Sequence, residues 1–321
     1  MTFYNNIFRK SWEVTKKNKI LWLFGLFGMF WGGKGIDLEI FFTNADLLKS
    51  SFSPFRPEFW QIQKWTEVGN RLFPNNISLV AIIIFVVVVL LFVMALIMFS
   101  QIGLIDAFGN DKKQKGKNNE TYSITNAIDV GREVFPSVLT VNLIGKGISY
   151  GLVALASSPL FLAQFEMSRL VYTAFLFIVL TPLAVLVSVL TKYAVNDIVL
   201  HRHGVTESVW VAWKTFVNNV GVSIELAVYM FVWYAAVNIA AITFILLLTL
   251  PLYFFGLVLY LKTGAVIGIG LFEVFVYLGS AIAITFSSIV FSAWHFGNWT
   301  LLFKELTVGR KRSKIHRIWK R

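Results

Sequence analysis

The chain has 321 residues, 57% of them hydrophobic and only 14% charged, with no cysteine and a formal net charge of +12. Soluble domains carry about 25% charged residues, so lipid must be the solvent for most of this chain, in line with a mean hydropathy of +0.69. The lack of cysteine excludes thiolate catalysis, disulfides and Cys-ligated zinc, and leaves the redox compartment open.

At the N-terminus Phe3, Tyr4, Ile7, Phe8, Ser11, Trp12 and Thr15 follow helical spacing, while Asn5, Arg9, Lys10, Glu13, Lys16 and Lys17 face away. That pattern predicts an amphipathic helix lying in the membrane interface. The apolar residues 20–33 come next. At about 1.5 Å per residue they reach roughly 21 Å, enough to cross only if the bilayer thins or Lys19 and Lys34 snorkel. Basic residues ahead of an apolar stretch imitate a secretory signal, but Phe30, Trp31 and Lys34 stand where a small-residue cleavage site belongs, so the segment reads as an uncleaved anchor. Residues 34–75 form the longest loop, in which Trp60, Ile62 and Trp65 suggest a short helix on the outer surface.

Further apolar runs near 77–105, 138–162, 170–195, 221–249 and 265–293 are each long enough to cross the hydrocarbon, which takes about 20 residues. Between them, residues 111–120 (DKKQKGKNNE) are polar, basic and expected to be disordered. Pro251 and the apolar residues 252–261 fit either a re-entrant element or an extension of the fifth span. Trp12, Trp22, Trp31, Trp210, Trp213, Trp294, Trp299 and Trp319 fall near the expected membrane–water borders, where an indole is favoured.

One phrase closes a long apolar run three times. It reads Phe99-Ser100-x-x-Gly103-x-x-Asp106, then Leu190-Thr191-x-x-Ala194-x-x-Asp197, then Phe291-Ser292-x-x-His295-x-x-Asn298, an i, i+1, i+4, i+7 face on a helix. Amphipathic stretches at 124–135 and 208–216 match the N-terminal one, with Ser11, Ala127 and Ser208 aligned. The chain therefore reads as three repeats of an interfacial helix and two spans, at 1–109, 122–200 and 205–303, in one integral membrane domain. The fold class is all-α, a polytopic bundle of about six transmembrane helices. Units that each cross twice share one orientation, so their relating axis should be a pseudo-threefold along the membrane normal.

In that arrangement 21 Lys and Arg residues fall on one side and 7 on the other, so both termini are expected to be cytoplasmic and the protein to sit in the inner membrane. Residues 304–321 form a basic cytoplasmic tail. Its Arg310, Lys311, Arg312, Lys314, Arg317, Lys320 and Arg321 are interleaved with Ile315, Ile318 and Trp319. The expected partner is the anionic inner leaflet, at about 1 kcal/mol per basic residue, rather than nucleic acid.

Catalytic chemistry is scarce. No Walker loop, nucleophile elbow or HExxH is present. His201 and His203 offer two metal ligands, but the sequence shows no third at a suitable spacing, so no metal or cofactor is expected. Gly25, Gly28, Gly32, Gly33 and Gly35 lack a preceding strand and read, with Gly147-x-x-x-Gly151 and Gly264-x-x-x-Gly268, as close-approach positions between helices. Lys146 and Glu225 lie inside predicted spans at similar depth, each costing at least roughly 2.5 kcal/mol unpaired. They fit a structural ion pair, a polar ligand or ion path, or snorkelling to the interface. Asp106 and Asp197 end helices, where a negative charge opposes the dipole. Backbone N–H groups near Ser123 and Glu207, or basic residues of the next interfacial helix, should compensate them.

Trp12 and the run Lys19-Ile20-Leu21-Trp22-Leu23-Phe24-Gly25-Leu26, with the repeated small-residue and Asp helix ends, resemble uncharacterised bacterial multi-pass proteins related to the membrane domain found beside glycerophosphodiester phosphodiesterases. In that family the hydrolase is a separate barrel with metal-binding carboxylates, which this chain lacks, so the resemblance implies the membrane unit without the enzyme. Three two-span repeats are also similar to mitochondrial carriers, but Pro136 is followed by Ser137 and Val138 rather than by that group's acidic signature. The expected role is a non-enzymatic scaffold or lipid-associated module. The alternative is a small-molecule or lipid transporter using Lys146 and Glu225.

Overall fold

A computed structural model describes residues 2–30, 76–110, 122–157, 166–263 and 267–308. Among them every regular element is an α-helix: α1 (Thr2–Lys17), α2 (Ile20–Gly28), α3 (Asn76–Gly109), α4 (Ile124–Ser157), α5 (Glu166–His201), α6 (Val205–Asn218), α7 (Val220–Thr263) and α8 (Ile267–Thr307). The chain is an all-α polytopic bundle. Helices α3, α4, α5, α7 and α8 are long and apolar enough to cross a membrane. Helix α2 supplies only nine residues of the expected first span, roughly 14 Å, too short to cross by itself. Residues 31–33 of that span lie outside the described residues, as do the 34–75 loop, the 111–120 linker and the basic tail from Arg310 to Arg321.

Two expectations about element borders change. Residues 124–135 are not a separate interfacial helix but the first turns of α4, which runs on through Pro136. In the other two units the helix breaks at an asparagine, Asn18 and Asn219, whose side-chain amides fold back onto the carbonyls of Val14 (3.3 Å) and Thr215 (3.0 Å). The same bond at Asn142, Asn196 and Asn238 leaves the helix unbroken, so it accompanies these breaks without explaining them. Of the two options for residues 252–261, the structure takes the extension, since α7 continues through Pro251 to Thr263 over 44 residues.

The packing is ordered around three helices. Helices α3, α5 and α8 touch one another. Helix α4 lies against α3 and α5, α2 against α3 and α8, and α7 against α8, while Tyr193 Oη and Ser223 Oγ, 2.8 Å apart, tie α7 to α5. Helix α1 rests on α8 and α6 on α5. The core sits where α3, α5 and α8 end: Met98, Leu104, Phe108, Tyr193, Ile198, Trp299 and Phe303 are all buried there. Trp294 and Trp299, expected at a lipid border, belong to this core, and the Trp294 indole donates to the Phe8 carbonyl at 3.3 Å. At the opposite ends the helices expose apolar side chains, from Ile83 to Val93 on α3 and from Val171 to Leu183 on α5, a surface that only lipid or another apolar partner can cover.

Small residues permit the convergence. A Cβ added at Gly25 would strike the Ile289 carbonyl of α8, and one at Gly297 would strike Ser11 and Phe108. Gly147 and Gly151 behave differently from expectation: a Cβ at either meets nothing within 4 Å, because both lie on faces of α4 turned away from its neighbours. Gly25→Ala should therefore cost about 1–3 kcal/mol through overpacking. Gly147→Ala should be neutral or stabilising by up to about 1 kcal/mol through helix propensity. Thermal unfolding of the two variants in detergent reads the contrast.

Candidate functional site at the converging helix ends

The three repeated phrases lie in the final turns of α3, α5 and α8, and these turns meet. Lys304 Nζ of α8 donates to the Gly109 carbonyl that ends α3. The Leu200 side chain of α5 packs over Gly109, and the His201 ring lies 6.2 Å from that of Phe303 on α8. Ser100, Asp106, Asp197, Ser292 and Asn298 are buried, and Thr191 is half-buried against Gly145 of α4.

Each buried carboxylate is met by side chains. Asp106 accepts from Asn110 Nδ2 at 2.6 Å and from the Tyr122 hydroxyl at 3.0 Å. Burial, and then the adjacent carboxylate, push the Tyr122 hydroxyl well above its ordinary range, so it stays protonated and able to donate. Asp197 meets two imidazoles: His201 Nδ1 is 2.8 Å from Oδ1 and His203 Nδ1 is 2.9 Å from Oδ2. The hydrogen bond to Asp197 raises the pKa of His203. The expected backbone N–H partners are not used. Ser123 instead accepts from Asn126 N at 3.4 Å and caps its own helix, and α6 begins at Gly204 with no side-chain cap.

A turn brings the second histidine back. Arg202 has φ 63°, the left-handed region, where a non-glycine residue costs about 1–3 kcal/mol. The reversal places His203 against the carboxylate that already holds His201. Asp197, His201 and His203 thus offer three donor atoms within 4.8 Å of one another, so the third ligand judged missing from the sequence is present one helical turn before the histidine pair. Its signal was legible as Asp197-x-x-x-His201, an i, i+4 pair on one face. The side-chain exposures divide sharply, with Asp197 at 1%, His201 at 44% and His203 at 37%. Beside them Arg202 Nε pairs with Glu133 at 3.4 Å, and Glu207 Oε1 is 3.7 Å from His203 Nε2.

In the third unit the chemistry differs. His295 fills the place held by Gly103 and Ala194, fully buried, with neither ring nitrogen hydrogen-bonded among the described residues. Ser292 Oγ, Asn298 Oδ1, Trp299 Nε1 and Asn196 Oδ1 are likewise buried without a partner. Lys192 of α5 donates to Ser188 Oγ at 3.1 Å and lies over the Trp299 ring, 5.2 Å from its centroid. Lys192 of α5 and Trp299 of α8 thus meet between these two helices, whereas Ser292 faces Gly28 of α2 and Asn298 faces Met230 of α7.

Lys146 and Glu225 are not brought together. Lys146 rides on α4, between α3 and α5, whereas Glu225 is on α7, which packs on α8. The Glu225 carboxylate takes its hydrogen bond from Tyr4 of α1, Oη to Oε2 at 2.5 Å. The amphipathic face of α1 had been read against lipid, and that concealed this partner. Burial, then this bond, hold the Tyr4 hydroxyl far above its ordinary value.

No family model, curated protein or solved structure matches the chain.

Three outcomes follow from this geometry. Tyr122→Phe should lower stability by about 1.5–3 kcal/mol, the range for a hydrogen bond to a charged group, as measured by detergent melting. In double-mutant cycles Tyr4→Phe and Glu225→Gln should couple by about 0.5–3 kcal/mol, while Lys146→Met and Glu225→Gln should add. The His203 ring, followed by NMR in metal-free protein, should titrate above its ordinary 6.5. Because the folded value is the raised one, its stabilising contribution is complete below about pH 6.5 and is lost as pH rises through the folded value.

Proposed function

We propose that the chain is a non-enzymatic, lipid-associated scaffold of the inner membrane, with the converging helix ends on the cytoplasmic side. One observation carries this reading. Helices α1 and α6 each bury a narrow stripe on the bundle, Tyr4, Ile7, Ser11 and Thr15 in one and Ser208 and Ala212 in the other. They hold large indoles outward, Trp12 at 48%, Trp210 at 67% and Trp213 at 42% exposure. Exposed Trp beside Lys16, Lys17 and Lys214 is the composition of a helix seated at the headgroup level. The basic tail from Arg310 to Arg321 would add attraction to anionic lipid, and the resemblance to a phosphodiesterase-associated membrane domain without its hydrolase fits the same reading.

Transport is the second reading, favoured by the unpartnered buried polar atoms of Ser292, His295, Asn298 and Trp299 on α8. Lys146 and Glu225, on separate helices, are no longer its natural residues.

Because the chain has no cysteine, single Cys residues report without background. A fluorophore at Trp210→Cys should be quenched by lipids carrying a nitroxide near the headgroup. Ser292→Cys should resist a small water-borne thiol reagent applied from either side. An unquenched probe at position 210 would remove the lipid-associated reading. Ready labelling at position 292 would replace the scaffold with a solute path.

A further inference from the structure

We propose that Asp197, His201 and His203 form a binding site for a borderline divalent transition-metal ion, Zn²⁺ being the type, with water completing the set and Glu207 on the outward ring nitrogen of His203, 3.7 Å from Nε2. The donor set is chemically selective. Two imidazole nitrogens and one carboxylate suit Zn²⁺, Ni²⁺ or Cu²⁺ better than Ca²⁺ or Mg²⁺, which prefer oxygen alone.

The geometry is close to what such an ion needs. Each Nδ1 faces its own carboxylate oxygen, at 2.8 and 2.9 Å. Tetrahedral Zn²⁺ with bonds of about 2.0–2.1 Å holds its donors about 3.3 Å apart, so entry requires each imidazole to withdraw from its carboxylate oxygen by about half an ångström and the donor atoms, now within 4.8 Å of one another, to close on one ion. The burial pattern allows this: the carboxylate is held inside the bundle, and both imidazoles are substantially exposed.

Two further features point the same way. Arg202 adopts a left-handed backbone although Gly204, which would adopt it freely, stands only two residues on. Placing the reversal at Arg202 is what returns His203 to the carboxylate. Asp197 also sits one turn before the end of α5, where the helix dipole adds to its negative charge. A divalent ion held between the two rings answers that charge directly. Arg202 does not compete for the carboxylate, since its Nε faces Glu133. A bound ion would link the last turn of α5 to the turn that starts α6, and so fix the angle at which the exposed Trp210 and Trp213 are presented.

The test uses the full chain in nanodiscs, purified without a polyhistidine tag, stripped with chelator and titrated with Zn²⁺ against a competing fluorescent chelator. One equivalent should bind, Co²⁺ in its place should give the visible absorption of a four-coordinate centre, and Ca²⁺ or Mg²⁺ should not displace it. His201→Gln and His203→Gln, which keep a side-chain N–H for Asp197, should melt like wild type yet bind Zn²⁺ more weakly by well over the roughly ten-fold that outer-shell changes cost. Glu207→Gln should weaken binding less than either. Absence of binding by the wild type, binding that survives in the His201→Gln/His203→Gln double variant, or displacement by Mg²⁺ would each overturn the proposal.

Discussion

The C-terminal parts of three helices meet in one place, and their negative poles must be answered there. Helices α3, α5 and α8 touch there, and two of them carry a buried carboxylate one turn before the end. Aligned dipoles side by side repel, and each end carries about half a negative charge. The structure answers with Lys304 on the Gly109 carbonyl, with the Tyr122 hydroxyl and Asn110 amide on Asp106, and with two imidazoles on Asp197. Remove these donors and the convergence has no electrostatic basis.

Close packing is the second half of the same arrangement. Helices can share an end only if their backbones approach, so glycine stands where α2 meets α8 and where α8 meets α1. The large rings of Tyr193, Trp299 and Phe303 then fill the remaining space, with Tyr193 centred 6.0 Å from Trp299 and 5.6 Å from Phe303. Such a packed end is stiff. It can hold His295 and Asn298 with polar atoms unpaired because moving them would disturb several helices at once.

The helical class and the five long apolar helices were legible in composition and run length, because lipid imposes both directly. Of the residues in the repeated phrase, Ser100, Asp106, Asp197, Ser292 and Asn298 are buried in the C-terminal parts of α3, α5 and α8. What escaped the sequence was tertiary. Tyr4 claims Glu225 across more than two hundred positions, and nothing in either segment's periodicity announces it. Asp197 and His201 were legible as an i, i+4 pair, but the return of His203 was not, since it depends on a left-handed residue whose φ no propensity predicts for arginine. Gly147 and Gly151 had the right spacing for a helix contact, but spacing does not say which face meets a neighbour.

Length explains why polar chemistry gathers at this end and not elsewhere. Helix α3 has 34 residues, roughly 51 Å, against about 30 Å of hydrocarbon. Measured from Asn76, one hydrocarbon thickness is used up near residue 95, where the exposed apolar surface gives way to the buried core that begins at Ile97. Ser100, Gln101 and Asp106 all fall in the surplus. A buried polar group there needs only a protein partner or nearby headgroup water, whereas at mid-bilayer it would need a complete internal partner set. The same surplus in α5 holds Ser188, Lys192, Asn196 and Asp197. The long helices thus divide their labour along their length: the apolar part of α3 and α5 leaves large side chains exposed, and the extra turns build a protein-like core in which carboxylates and histidines can be kept.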